Sequence, residues 1–161
     1  MLLHPTMVYG ATGEDNVQRL AALLRRLPLV PLPDGGRALV QPIHQSDVTA
    51  CILAALDITW PGPETLVIAG PMALAYADFV RAVAAAAGLR RPRIMPVAPA
   101  LLRLAAPLTR LPGLPRIGAD EIRRLLEDKA FDIRPMRARL HVDPIPLADG
   151  LARTFRMLPC P

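Results

Sequence analysis

Proline placement limits most strongly what this chain can fold into. The 161 residues include 19 prolines, which are spread along the chain and do not form one tract. A proline lacks a backbone N–H and fixes its own φ angle, so helices and strands tend to end or bend near it. The segments between prolines are short, and patterns typical of strands alternate with patterns typical of helices. This order predicts an α/β fold with too few strands for a complete doubly wound sheet.

The apolar spacing predicts where the individual elements lie. Asn16 is placed to cap a helix from Val17 to Leu27, and Ser46 or Asp47 is placed to cap a second helix from Val48. The other predicted elements are strands over residues 2–9, 29–32, 38–43, 65–69 and 94–97, helices over 76–87, 118–128 and 147–157, and a proline-interrupted helical stretch over 99–110.

The composition is that of a folded domain with a basic surface. Apolar residues make up 52% of the chain and aromatic residues only 4%, so the core must come mainly from aliphatic side chains. The net charge of +5 raises the question of nucleic-acid binding. Every basic residue except Lys129 is an arginine, however, and the arginines are scattered from Arg19 to Arg156 with few aromatic residues available for base stacking. We therefore expect no nucleic-acid partner.

Cysteine usage and hydropathy exclude several other classes of protein. Cys51 and Cys160 lie far apart without a CxxC motif, so neither a disulfide framework nor a metal site is expected. No apolar run reaches the ~18 residues of a membrane span. The first residues lack the basic and apolar regions of a signal peptide. The sequence predicts a cytoplasmic protein with no integral membrane segment.

A glycine-rich segment after the first strand imitates a dinucleotide-binding fingerprint. Residues 10–13 (GATG) follow a predicted strand and precede a helix, as in the βα turn that holds a pyrophosphate. Asn16 occupies the third glycine position, and Pro5 falls inside the strand, where it would remove a ladder hydrogen bond. An intact nucleotide-binding domain is therefore a minor alternative, which an NADH titration of wild type and Gly13→Val would test.

Five segments resemble the extended and atypical short-chain dehydrogenase/reductase superfamily. Residues 3–10 (LHPTMVYG) resemble its Arg-Pro-x-x-Val-Tyr-Gly segment, and residues 41–48 (QPIHQSDV) are similar to its Pro-Val/Ile-His/Tyr-Val-x-Asp-Val-Ala element. Residues 66–71 (LVIAGP) and 76–79 (YADF) resemble a later passage. Residues 118–128 (GADEIRRLLED) look like a helix of the branch that contains the NADH-dehydrogenase accessory subunit of complex I. The segments keep the family order along nearly the whole chain.

The resemblance implies a C-terminal, substrate-side part of an NAD(P)-dependent epimerase/dehydratase-like oxidoreductase. The expected architecture is a partial Rossmann-like segment followed by a small, mostly helical substrate-binding subdomain. Residues 1–161 would form one domain, with late Rossmann elements over 1–58 and the substrate-side subdomain over 59–161.

The resemblance also implies which residues would contact a cofactor, NAD or NADP. In the family the stretch equivalent to Pro5–Tyr9 runs past the nicotinamide, and Thr6 and Met7 are the foremost candidates. The implied cofactor-binding residues are Pro5, Thr6, Met7 and Tyr9.

Asn16 and His44 are the implied substrate-binding residues. Each also has a structural interpretation, since Asn16 suits a helix cap and a histidine at a strand end is commonly packed and hydrogen-bonded. Asp47, in the same family element as His44, is explained most simply as a helix N-cap.

The usual catalytic pair of the superfamily is missing from the sequence. It consists of a tyrosine and a lysine four residues later, which share one helix face so that the lysine lowers the phenol pKa. Tyr9 and Tyr76 are followed at that spacing by Gly13 and Val80, and the only lysine is Lys129. We therefore expect no catalytic residue here and no catalysis by this chain alone.

A second absence separates branches of the superfamily. Sugar-nucleotide epimerases commonly carry an arginine four residues before the position of His44, where it binds the substrate diphosphate. Val40 stands there, and His4 replaces another usual arginine. These departures favour the complex-I-subunit-like branch over a nucleotide-sugar enzyme.

Two hypotheses about partners stay open. The chain could be the substrate-side half that pairs with an N-terminal nucleotide-binding half. Alternatively, it could be a non-catalytic binding or assembly module related to complex I accessory subunits. In both cases the strand over residues 2–8 would present an unpaired edge, which predicts self-association or docking of the other half.

Overall fold

A computed structural model describes residues 1–10, 16–27, 29–101 and 126–156. The helical stretch predicted over 99–110 and the helix predicted over 118–128 therefore lie mostly outside the described residues. The strands are β1 (Leu2–Pro5), β2 (Val8–Tyr9), β3 (Leu29–Pro33), β4 (Leu39–Val40), β5 (Ile43–His44), β6 (Thr65–Ile68), β7 (Leu74–Ala75) and β8 (Arg93–Val97). The helices are α1 (Asn16–Arg26), α2 (Gln45–Leu56), α3 (Tyr76–Ala86), α4 (Arg134–Leu140) and α5 (Leu147–Arg156).

Parallel pairing of distant strands confirms the α/β prediction. β1 pairs with β6, β2 with β5 and β3 with β8, all parallel, while β4 and β7 are antiparallel. Parallel neighbours need a crossover connection, which is supplied here by the helices between them. The short strand β7 and the helix α4 were not predicted from the sequence.

The strand predicted over residues 2–9 is two strands, because the chain changes partner at Thr6. The Thr6 amide donates to Ile68 at the end of the β1–β6 pair, and the carbonyl of Met7 then accepts from Ile43 of β5. The Thr6 hydroxyl donates to the backbone carbonyl of Gln41 at 2.5 Å and holds the chain at this point.

Pro5 fits into β1 without loss of a ladder bond, contrary to the objection raised from the sequence. The amides of Leu2 and Thr6 donate toward β6, so by strand alternation His4 also faces β6. Leu3 and Pro5 face the opposite edge, which has no partner within the described residues. A proline nitrogen at an edge position removes no hydrogen bond.

Two apolar clusters hold these elements together. The first joins α1, α3 and α5 to β3 through side chains that include Val17, Leu32, Val80 and Leu151. The second lies under the β1–β6 and β2–β5 pairs, where α2 and α4 contribute Cys51, Met136 and Leu140. Each helix therefore buries an aliphatic face against a parallel strand pair, as the composition requires.

Helix α2 starts earlier than predicted, with a different cap. His44 is the N-cap, and its Nδ1 accepts from the Ser46 amide at 3.2 Å. Asp47 is instead buried within the first turn, where Oδ2 accepts from the Ile145 amide at 3.1 Å. The prediction that Ser46 or Asp47 caps this helix is therefore wrong, and Asp47 joins α2 to the chain before α5.

The described residues contain neither a helix that could span a membrane nor a cluster of metal ligands. None of their helices combines the length and the apolar composition that crossing a membrane requires. No group of three or more described His, Cys, Asp or Glu residues is placed to hold a metal ion.

Candidate functional site

A cavity of about 950 Å³ opens where β1 ends and the chain turns toward β2. Ligands of open α/β sheets bind beyond the carboxyl ends of parallel strands, so this is the expected position for a site. The lining residues are His4, Pro5, Thr6, Met7, Asn16, Leu20, Val40, Gln41, Val67, Tyr76, Phe79, Glu127, Asp128, Lys129 and Phe131.

Four of the six predicted site residues meet at this cavity. Pro5, Thr6 and Met7 line it from the β1–β2 connection, and Asn16 lines it from the first turn of α1. The change of partner at Thr6 creates this arrangement, because it ends the regular ladder and turns the connection toward the open space. The assignment of these residues to cofactor and substrate remains a prediction.

Gln41 is a buried residue that fixes the floor of the cavity. Its Nε2 donates to the Gly70 carbonyl at 2.8 Å, and its Oε1 accepts from the Phe131 amide at 2.7 Å. Its own backbone carbonyl accepts from Thr6. Through its side chain and its backbone, Gln41 thus bonds to three segments that are distant in sequence. The signal available in the sequence was a polar residue between Val40 and Pro42, in an otherwise apolar stretch.

A charged wall was also missed by sequence reasoning. The Asp128 carboxylate accepts from the Leu39 amide at 2.9 Å, and the Lys129 amide donates to the Leu39 carbonyl at 2.8 Å. This reciprocal pair fastens the segment to β4 and brings Glu127, Asp128 and Lys129 to the cavity. The wall therefore offers carboxylates and one ammonium group for contact with a polar ligand.

Tyr9 and His44 lie in the core and do not line the cavity. Their rings meet edge to face, with centroids 5.3 Å apart, and His44 Nδ1 is 2.7 Å from the Ser46 hydroxyl. Gly10 follows with a φ of 94°, and a Cβ there would collide with the His44 ring. This packing matches the structural interpretation of His44.

Both tyrosine phenols are held in their neutral form. Burial raises the pKa of Tyr9 well above its usual value, and the Asp47 carboxylate raises it further. Burial also raises the pKa of Tyr76, which lines the cavity beside Phe79. A general acid or base needs a pKa near the working pH. Neither phenol is therefore suited to proton transfer near neutrality.

Pro5, Thr6 and Met7 are the described residues that would hold a nicotinamide ring in this cavity. The Thr6 hydroxyl donates its proton to Gln41, so toward a ligand it offers only acceptor electron pairs. Residues 11–13 of the glycine-rich segment lie outside the described residues.

Comparison with solved structures finds the same fold in larger proteins. The crystal structure of gox2253 matches with a TM-score of 0.68 and 18% identity, over 96% of this chain and 47% of that one. The UDP-glucose 4-epimerase of Thermotoga maritima, solved with UDP-glucose, gives 0.63 and 18%, over 96% and 44%. The UDP-glucuronic acid 4-epimerase of Bacillus cereus, in complex with UDP-glucuronic acid and NAD, gives 0.63 and 17%, over 96% and 43%.

These matches establish the fold. The chain spans less than half the length of each of the three structures, and it corresponds to a part of a Rossmann-fold protein. No protein-family model and no curated protein sequence matches it.

Proposed function

We propose that this chain is the substrate-binding portion of an NAD(P)-dependent epimerase/dehydratase-like oxidoreductase, and that it is inactive alone. The observation that carries the proposal is the cavity at the carboxyl end of β1, lined by Pro5, Thr6 and Met7. In this function the cavity receives the substrate and the nicotinamide end of NAD or NADP, while another polypeptide segment supplies the phosphate-binding loop.

The ionisation state of the two tyrosines supports the proposal that the chain is inactive alone. Catalysis of the superfamily type requires a phenol whose pKa is lowered by a lysine four residues on. Tyr9 and Tyr76 lack that lysine, and burial raises the pKa of both. In this proposal the chain binds and orients a ligand, and neither of its phenols is poised to move a proton of that ligand.

Val40 supports assignment to the complex-I-subunit-like branch. It lines the cavity at the position where nucleotide-sugar enzymes of the family commonly carry an arginine. An aliphatic side chain there cannot form charge-assisted bonds to a diphosphate. The proposed substrate is therefore a molecule without a diphosphate at this position.

Ligand-observed NMR with nicotinamide mononucleotide, and with adenosine monophosphate as the comparison, tests the binding role. We expect saturation transfer to the nicotinamide ring and none to adenine. Thr6→Val should reduce the transfer because it alters the cavity wall, whereas Thr49→Val removes an equivalent hydroxyl on the exposed side of α2 and should not. Equal transfer to both nucleotides, or an equal effect of both variants, would contradict the proposal.

An assembly role is the second candidate, and it is favoured by the edge of β1 that has no partner within the described residues. Leu3 and Pro5 face this edge, and Leu2 is 56% exposed beside it. An unpaired strand edge is a template for another strand, supplied by an N-terminal half or by a second copy of the chain.

Sedimentation velocity at micromolar concentration tests the edge. We expect self-association that Leu2→Glu weakens, because a buried charge at the new interface is costly. Leu53→Glu is the matched control, since Leu53 is 58% exposed on α2, away from the edge. A strictly monomeric wild-type chain would refute self-association through β1.

A further inference from the structure

Four arginines line a second cleft, formed by the end of α1 and the segment between α3 and β8. The cleft has a volume of about 740 Å³ and is lined by Arg25, Arg90, Arg91 and Arg93 together with leucines and Pro92. All four arginines are exposed, whereas Pro92 is buried. Arg91 and Arg93 therefore project on the same side of an extended segment. We call this surface the arginine cleft.

None of the four arginines of the cleft forms an ion pair with a described carboxylate, which is also true of other exposed arginines such as Arg19 and Arg156. Arg81, Arg134, Arg137 and Arg139 each form an ion pair with an aspartate or glutamate. Arg25 lies in the last turn of α1, where the partial negative charge of the helix end stabilises a cation. The other three arginines lie outside that helix, so this interaction does not explain their position.

Large apolar side chains lie exposed among these charges. Leu27 and Leu29 line the cleft and are 38% and 44% exposed, and Met95, two residues beyond Arg93 in β8, is 40% exposed. Leu29 pairs directly with Arg93 in the β3–β8 ladder, so apolar and cationic side chains alternate on one face. A purely solvated charged face would not be expected to place these residues together.

We propose that the arginine cleft binds a lipid surface that contains anionic phospholipids. Guanidinium groups match the geometry of phosphate and form charge-assisted bonds with it. Leucine and methionine side chains enter the boundary between headgroups and acyl chains, which stabilises peripheral binding. The combination of arginines with exposed apolar side chains favours a lipid surface, because a small organic phosphate or a polyanion would bind only the arginines and leave the apolar side chains in water. The site is separate from the cavity and does not depend on its function.

Co-sedimentation with vesicles measures the charge contribution. The full chain should bind vesicles of phosphatidylcholine mixed with phosphatidylglycerol at low salt, and should not bind phosphatidylcholine alone. Arg91→Ala/Arg93→Ala should weaken binding about 25-fold, from about fivefold for each arginine. Arg137→Ala/Arg139→Ala removes the same net charge elsewhere and should change binding less than threefold. An equal loss in both variants, or no binding to anionic vesicles, would overturn the proposal.

A second pair of variants tests the apolar contribution. Leu27→Ser/Leu29→Ser keeps every charge and should still weaken vesicle binding at least fivefold, while Leu53→Ser/Leu56→Ser on the exposed side of α2 should not. Circular dichroism should show all four variants folded, because the substituted side chains are exposed. If only the arginine variant lost binding, or if soluble poly-glutamate bound as tightly as the vesicles, the surface would be a general anion or acidic-protein site and the lipid proposal would be wrong.

Discussion

The contact between Gly150 and Tyr9 allows a quantitative test of the packing. Gly150 is buried in α5 and faces the tip of the Tyr9 ring. A Cβ at this position would collide with the Tyr9 hydroxyl and would lie 2.9 Å from Cζ. The ring cannot simply move aside, because it is buried and its edge meets the ring of His44.

Gly150→Ala should therefore destabilise the protein although alanine is the better helix former. The substitution gains about 1 kcal/mol of helix propensity. Overpacking a rigid site costs about 1–3 kcal/mol, and the confinement of Tyr9 favours the upper part of that range. We expect a net loss of about 1–2 kcal/mol in the free energy of unfolding.

A double-mutant cycle in urea, followed by circular dichroism, isolates the contact. Tyr9→Phe removes the hydroxyl that the new methyl group meets, so Gly150→Ala should cost less in that background, by about 1 kcal/mol or more. If Gly150→Ala stabilised the wild type, or if the two changes were additive within about 0.5 kcal/mol, the close packing of α5 on Tyr9 would be refuted.

Three further predictions follow from buried polar groups. Gln41→Leu leaves the buried Gly70 carbonyl without its side-chain donor and should cost about 1–3 kcal/mol in urea denaturation; no measurable loss would contradict its role. Folding raises the phenol pKa of Tyr9 and Tyr76. The contribution of the two neutral phenols to the free energy of unfolding is therefore complete below the pKa of the unfolded state, near 10, and is lost as pH rises above it. The unfolding free energy should fall above about pH 10, less steeply in Tyr9→Phe. Burial raises the pKa of Cys51 to about 11, so in a Cys160→Ser background a thiol reagent should react only upon unfolding.

Local patterns predicted the bounds of α1 and α3 well because the apolar spacing and the terminating residues of a helix are local information. The spacing of Val17, Ala21 and Leu24 placed α1 within one residue, and all three are buried. Gly88, with a φ of 67°, follows α3 as a helix-terminating residue should. The apolar run at residues 2–9 misled, because it could not show that the Thr6 hydroxyl would bond to Gln41 and let the chain change partner.

The candidate site was predictable only in part, for a similar reason. Family order pointed to Pro5, Thr6 and Met7, which do line the cavity. The wall formed by Glu127, Asp128 and Lys129 depends on backbone bonds to Leu39, far away in the sequence. The role of Asp47 likewise depends on Ile145 and is invisible to capping rules. Long-range hydrogen bonds to the backbone leave no pattern in the neighbouring residues.

The pairing of distant strands has a consequence for how the chain is made. Leu2 pairs with Thr65 and Leu29 pairs with Arg93. During synthesis, β1 and β3 therefore leave the ribosome long before the strands with which they pair. Such non-local pairing folds slowly and leaves strands open to wrong contacts in the meantime. Pro31 and Pro33 lie within β3. Because neither residue can donate a backbone hydrogen bond, β3 is a poor template for aggregation during synthesis.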